Sequence, residues 1–251
     1  LASLTASDVT SFVVAWCPSV TSGVAKMTVT ALRSFCGFLH LEGVLMRSLV
    51  PAVPKVTSRH QAGLPKGLEL EEVRRILTSC DTASDNGVRD LAILTLLVRL
   101  GLRRCEVSRL GLDDIDWRAG TICVHGKGNC LERLPLPVDV GHYLAQYLRH
   151  ARPAKARGRT VFVRHFAPYN ALSECRVSTI VADAARRAGV GRVHAQRLRH
   201  TAATQLLRAG ASLPEVGQVL RHRRAQTTAI YAKVDHDTLR VIARPWPEDA
   251  Q

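Results

Sequence analysis

The run Leu91–Leu100, "LAILTLLVRL", constrains this chain most. It reads as a strongly apolar helix, and Gly101 ends it. A helix with so little polar surface has to lie inside a core. The composition can supply one: 46% of the 251 residues are hydrophobic, too many for a disordered chain. Aromatics make up only 5%, so Leu, Val, Ile and Ala must do most of the filling.

Around that run the pattern is mainly helical. Two helical segments come first, near Ala6–Trp16 and Lys26–Glu42; the second carries Val29, Leu32, Phe35, Phe38 and Leu39 at helical spacing. They bury little by themselves and read as the remnant of a helical bundle. A linker rich in Pro, Gly and basic residues follows, which places a domain boundary near residue 60. The second part opens with a helix over Glu69–Ser79, a turn over Asp81–Gly87 and the apolar helix. Next, "TICVHGKGNCLERLPLP" reads as a β-hairpin and "TVFVRHF" as a short strand. Helices follow near Val177–Ala188, Arg197–Ala209, Pro214–Leu220 and Thr227–Ala232. Ser212, Pro214 and Glu215 form a capping-box pattern, and Gly210 suits the end of the preceding helix. The expected fold class is mainly α with a small antiparallel β-sheet (α+β).

Charge narrows the function. The net charge is +14, and a basic protein usually meets a polyanion, most often nucleic acid. The excess is concentrated after residue 58. Arg149–Arg164 holds six Lys/Arg and no acid, and Arg186–Arg224 holds nine Arg and one acid, Glu215. The first stretch reads as a loop, either a solvated connector or a phosphate contact. Seven cysteines, an odd number without a C-x-x-C pair, argue against disulfide frameworks and zinc sites and for a reducing cytoplasm. No apolar run is long enough to span a membrane. The chain begins with Leu, so an N-terminal part of a longer protein is expected to be missing.

Four clusters hold the candidate chemistry: "GLRRCEVSRL" from Gly101, "GKGNCLER" from Gly126, "QRLRHTAATQLLRAGASLPEVGQVLRH" from Gln196, and "QTTAIYAKV" from Gln226. In this order they closely resemble the catalytic domain of the tyrosine recombinases, or phage integrase family, over about residues 64–240. Arg-His, then Leu-x-His, then Tyr nine residues later is the most specific part. Residues 1–58 resemble, more weakly, the end of the family's helical core-binding domain. Residues 59–251 then form the catalytic domain.

The resemblance implies an enzyme that cuts and rejoins DNA through a 3′-phosphotyrosyl link to Tyr231. Each residue it selects also has a chemical rationale. Phosphoryl transfer concentrates charge on the non-bridging oxygens, and Arg binds them with a fork whose charge does not titrate away. Arg103 follows Gly101 where a new helix begins, and Arg199 lies near the start of another, so amide donors and helix dipole would assist both. Lys127, in the Gly-Lys-Gly turn, corresponds to the lysine that protonates the departing 5′ oxygen. His222 would donate to the phosphate, and Tyr231 would attack it. A phenol is a weak nucleophile, so neighbouring cations are expected to lower its pKa. Glu106, three residues after Arg103, either steadies that Arg or is simply a helix former. Arg104, Arg109 and Arg197 read as surface charges.

The chain departs from the family at two places. Gln196 stands where the motif His-x-x-Arg-His has its first His. An amide can donate a hydrogen bond to the phosphate but cannot serve as a base near pH 7. His194, two residues earlier, reads as a surface His that only a one-turn shift would let replace it, and His200, the motif's second His, is expected to be mostly structural. Arg221 stands where the family often has Gly. It would either crowd the helix joint or add a phosphate contact.

The expected partner is double-stranded DNA, bound by a homotetramer on two sites, with no cofactor, no metal and no membrane. Two alternatives stay open. One is a DNA-binding relic of a mobile-element integrase with weak or no catalysis. The other is a type IB topoisomerase-like enzyme, against which the GKG hairpin and the short C-terminal tail argue.

Overall fold

The computed structural model describes residues 1, 3–56, 67–126, 131–222 and 225–231. The chain divides into two compact units, Leu1–Ala62 and Gly63–Gln251. The linker, with the boundary expected near residue 60, lies largely outside the described residues.

The first unit holds α1 (Ala6–Trp16) and α2 (Ser22–Leu41). A reciprocal cap opens α1: Asp8 N–H donates to Thr5 Oγ1 at 3.3 Å, and Thr5 N–H donates to the Asp8 carboxylate at 2.8 Å. Helix α2 begins a turn earlier than Lys26, because Thr21, in extended backbone, precedes it as N-cap. Val9, Val13, Val29, Cys36 and Val53 make a small core.

The second unit is mainly α with one small antiparallel sheet. Its helices are α3 (Leu70–Thr78), α4 (Asp85–Arg99), α5 (Arg104–Arg109), α6 (Val138–Gln146), α7 (Glu174–Arg187), α8 (Ala195–Arg208), α9 (Leu213–Val219) and α10 (Ala225–Ala229). The sheet has the order β1 (Ile115–Asp116), β2 (Thr121–His125), β3 (Leu131–Pro135), antiparallel throughout. Helix α4 is the axis of this unit. Ile93, Leu94, Leu96 and Leu97 are fully buried, and α4 packs against α3, α5, α6, α7 and α8. The composition is Leu/Val/Ile-rich as expected, with Phe162 and Tyr147 the large aromatic contributions.

Several elements differ from the sequence reading. The expected turn Asp81–Gly87 ends early, because Ser84 caps α4 by accepting from Gly87 N–H at 3.1 Å. The segment Thr160–Phe166 is not a strand. It makes only isolated bridges, Gly111 with Thr160 and Val163 with Ala171, while Val161 and Phe162 fill the core. Arg152 helps fix this loop by donating to the carbonyls of Gly158 at 2.7 Å and Val161 at 3.2 Å, which gives one of the basic-stretch arginines a structural task. Helix α6 and the π-type turn Tyr147–Ala151 that continues it were not foreseen, nor was β1. Helix α7 starts a turn earlier than Val177, because the Ser173 hydroxyl accepts from Arg176 N–H. The capping box of Ser212 and Glu215 forms at α9. Helix α10 stops at Ala229, and Ile230–Tyr231 form a turn.

Gly87 lies inside α4, where Gly→Ala normally stabilises by about 1 kcal/mol. Here a Cβ would stand 1.8 Å from the Asp81 carbonyl oxygen, which is backbone and cannot swing away. Gly87→Ala is therefore expected to destabilise the protein by about 2 kcal/mol or more. Urea unfolding measures this, and a midpoint at or above the wild-type value would contradict the contact.

Candidate functional site

Arg199 sits in the first turns of α8 with its side chain buried. Its guanidinium donates to the Gly101 carbonyl through Nη1 and to the Leu220 carbonyl through Nη2. Those carbonyls belong to the loop before α5 and the end of α9. Gly101 has φ +56°, and a Cβ there would meet Leu220 Cδ2 at 2.6 Å. Only glycine lets these two segments close on Arg199. Burial, then repulsion from Arg103 and Arg221, pulls the Arg199 pKa down to about 10, so it remains a cation at neutral pH.

Arg103 is the N-cap of α5, and Glu106 sits one turn on. The Glu106 carboxylate accepts from Arg103 N–H at 2.8 Å and from Arg103 Nη1 at 2.6 Å. It also accepts from Arg221 Nη2 at 2.9 Å. Burial opposes the charge of Glu106, but Arg221 and Arg103 outweigh it and hold the carboxyl below its ordinary range. Glu106 therefore steadies Arg103, the first of the two roles open to it. Arg221 neither crowds the joint nor projects freely. It turns inward at φ +56° and pairs with Glu106, and Arg103 Nη2 donates to its carbonyl at 3.2 Å.

Tyr231 lies beside this cluster, 1% exposed, packed with Ala203, Val216 and Leu220. Its hydroxyl is 2.7 Å from His200 Nδ1. His222 stacks parallel to the Tyr231 ring, centroids 6.3 Å apart, and its Nδ1 is 2.8 Å from Thr228 Oγ1. A Cβ on Gly217 would stand 2.9 Å from Thr228 Oγ1, so Gly217 allows α10 to approach α9 and set the Tyr231 turn. Burial raises the Tyr231 phenol to about 12, against the pull of Arg199. The cation Arg199 lowers this pKa as expected, but burial acts against it and the net shift is upward. The ring is packed among apolar side chains, and desolvation of a phenolate exceeds one cation's attraction. Burial, then Arg199, lowers the pKa of His200, and burial, then Arg199, Arg103 and Arg221, lowers that of His222 to about 4. Both imidazoles are neutral at pH 7.

The structure thus brings Arg103, Arg199, His222 and Tyr231 together from four separate segments. Gln196 is exposed at the start of α8 and lines, with Arg103 and His194, a cavity of about 480 Å³. It lies one turn before Arg199 and His200, on their side of the helix. Lys127 lies outside the described residues. Arg104 and Arg109 are exposed and face Glu174 at 3.7 and 3.1 Å. Sequence reasoning missed His200 as a neighbour of the Tyr231 hydroxyl. The adjacent Arg199-His200 pair was visible, but which way the ring points is a tertiary matter. Thr228 was missed as well, as the "TT" before Tyr231 carries no chemical signal of its own.

Residues 66–237 match the phage integrase family. An integrase/recombinase, y4rA, of Sinorhizobium fredii is 44% identical over the whole chain, which spans 62% of that protein's length. The tyrosine recombinase XerD of Listeria innocua is 34% identical over 82% of this chain and 70% of its own length. Among solved structures, the XerH site-specific recombinase bound to palindromic difH substrate in a post-cleavage complex superposes with a TM-score of 0.80. That likeness covers 96% of this chain and 72% of XerH at 21% identity. A lambda integrase (75-356) dimer bound to a COC′ core site gives 0.70, over 98% of this chain and 83% of that one at 16% identity. At these identities both structures speak for the fold alone.

The depressed His222 pKa has a consequence for stability. A His whose folded pKa lies below its unfolded value contributes stability that is full above about pH 6.5, the unfolded value, and is lost as pH falls toward about 4. His222→Gln removes that dependence. Thermal unfolding followed by circular dichroism should show the wild type losing more Tm than the variant between pH 7.5 and 5. Parallel losses would mean that His222 is not held neutral by its surroundings.

Proposed function

Since the chain belongs to the phage integrase family, we propose that it is a site-specific tyrosine recombinase that cuts and rejoins double-stranded DNA through Tyr231. The observation that carries this reading is the convergence of Arg103, Arg199, His222 and the Tyr231 hydroxyl on one spot. The Tyr231 oxygen bonds to the scissile phosphorus while the bond from phosphorus to the 5′ oxygen breaks. Arg103 and Arg199 meet the charge on the non-bridging oxygens, and His222 and Gln196 add hydrogen bonds. Lys127 gives the departing oxygen its proton. The phosphotyrosyl link is then attacked by a 5′ hydroxyl, from the same strand or a partner strand, and Tyr231 is released. Each step exchanges one phosphate ester for another, so no outside energy source is needed.

A phenol with a pKa near 12 must lose its proton as it attacks. His200 Nδ1, neutral and 2.7 Å away, is the group placed to accept it. It takes the base's part that Gln196, an amide, leaves open.

The net charge of +14, with nine Arg between residues 186 and 224, suits a DNA partner. Leu1–Ala62 is then part of a core-binding domain, and the full protein works as a homotetramer on paired sites. An integrase among the relatives supports a mobile element as the DNA substrate. The free thiols Cys36 and Cys80 suit a reducing cytoplasm. No described helix is long and apolar enough to cross a membrane.

A nicked suicide DNA substrate tests the reaction. The wild type should form a covalent protein–DNA adduct, and Tyr231→Phe should form none while binding DNA with nearly unchanged affinity. DNA binding without an adduct in the wild type would leave a DNA-binding protein and no strand chemistry.

The base is tested separately. His200→Ala should slow adduct formation by about 10²–10⁴ near pH 7, with the loss shrinking at higher pH as the phenol ionises unaided. Gln196→His should then gain little, because the proton already has an acceptor. An unchanged rate in His200→Ala together with a tenfold or larger gain in Gln196→His would move the missing base to position 196.

A further inference from the structure

Arg221 is held where its backbone and its side chain are both disfavoured. Its φ of +56° lies in the left-handed region that glycine enters freely and other residues avoid. Its side chain is 1% exposed, and its Nε has no hydrogen-bond partner. Burying a charge and leaving a donor unpaired both oppose folding. Residues kept in such positions tend to serve a site rather than the fold.

Glu106 shows what is served. One carboxylate oxygen takes Arg103 Nη1 at 2.6 Å, and the other takes Arg103 N–H at 2.8 Å and Arg221 Nη2 at 2.9 Å. With Arg103 alone, one carboxylate would cancel one guanidinium, where burial keeps screening weak. The second guanidinium leaves the group of three with a net positive charge. Arg103 is the member that remains open, its side chain 33% exposed and bordering the cavity shared with Gln196. The Arg221 carbonyl also accepts from Arg103 Nη2 at 3.2 Å, so the same left-handed turn helps aim that side chain.

We propose that Arg221 is a positioning residue for strand cleavage: by sharing the Glu106 carboxylate it leaves the Arg103 guanidinium incompletely neutralised and available to the scissile phosphate. The proposal rests on the recombinase reading above. Arg221→Gly isolates the side chain, because glycine keeps the left-handed turn and its carbonyl without strain. Its adduct formation on the nicked substrate should fall by about tenfold or more. Arg221→Lys, which keeps a cation beside Glu106, should recover most of that loss. The discriminating variant is Arg221→Gly combined with Glu106→Gln. Removing the carboxylate frees Arg103 again, so this double variant should cleave faster than Arg221→Gly alone.

An Arg221→Gly enzyme as fast as the wild type overturns the proposal. So does a slow Arg221→Gly that Glu106→Gln fails to rescue, since a purely structural defect would behave so. Should the wild type form no adduct, the recombinase reading fails on its own. Orthovanadate binding without DNA, followed by calorimetry, then decides the present point. Binding weakened by Arg221→Gly and restored in the double variant supports it, and equal or absent binding in all three proteins overturns it.

Discussion

The site depends on one buried guanidinium. Arg199 joins the Gly101 loop to the end of α9 by donating to a carbonyl on each side. Both carbonyls end segments that carry other site residues, Arg103 just after Gly101 and Arg221 and His222 just after Leu220. The clamp therefore sets the spacing of the whole cluster. A Cβ at Gly101 would press on the Leu220 side chain at this same junction. Two of the Arg199 donors reach backbone oxygens, which offsets part of the cost of burying the charge, and removing the guanidinium would strand those carbonyls.

A cluster of cations at close quarters shapes its neighbours. Arg103, Arg199 and Arg221 outnumber Glu106, and their combined field, added to burial, keeps His222 neutral. Tyr231 feels burial more than the cations and stays a phenol, packed against α9 and hydrogen-bonded to His200. A phenol kept protonated and out of water is a poor nucleophile until a base takes its proton.

The sequence carried much of this. Apolar periodicity located α4 and the helices from α7 to α10, the Gly-Lys-Gly-Asn turn located the hairpin, and Ser212 with Glu215 located the start of α9. The reading failed where local signals misled. Gly87 reads as a turn residue but lies in a helix, because its lack of a side chain is needed by the Asp81 carbonyl rather than by the backbone angle. The β-rich "TVFVRHF" reads as a strand, yet its backbone finds only two isolated bridging partners and its side chains serve the core. Helix α6 carries too few marked capping residues to announce itself.

What the sequence determined by itself was the family, the fold class and which residue types stand at the candidate positions, because those follow from order, spacing and chemistry along the chain. Tertiary structure decided how these residues act on one another. That His200 rather than Gln196 touches the Tyr231 hydroxyl depends on which way a ring points. That Arg221 turns inward to Glu106 depends on a left-handed backbone angle and on a partner 115 positions away. That Tyr231 has a raised pKa depends on how much apolar surface closes over it. Burial and electrostatic coupling are sums over neighbours in space, and a linear pattern names the members of that sum without fixing their distances.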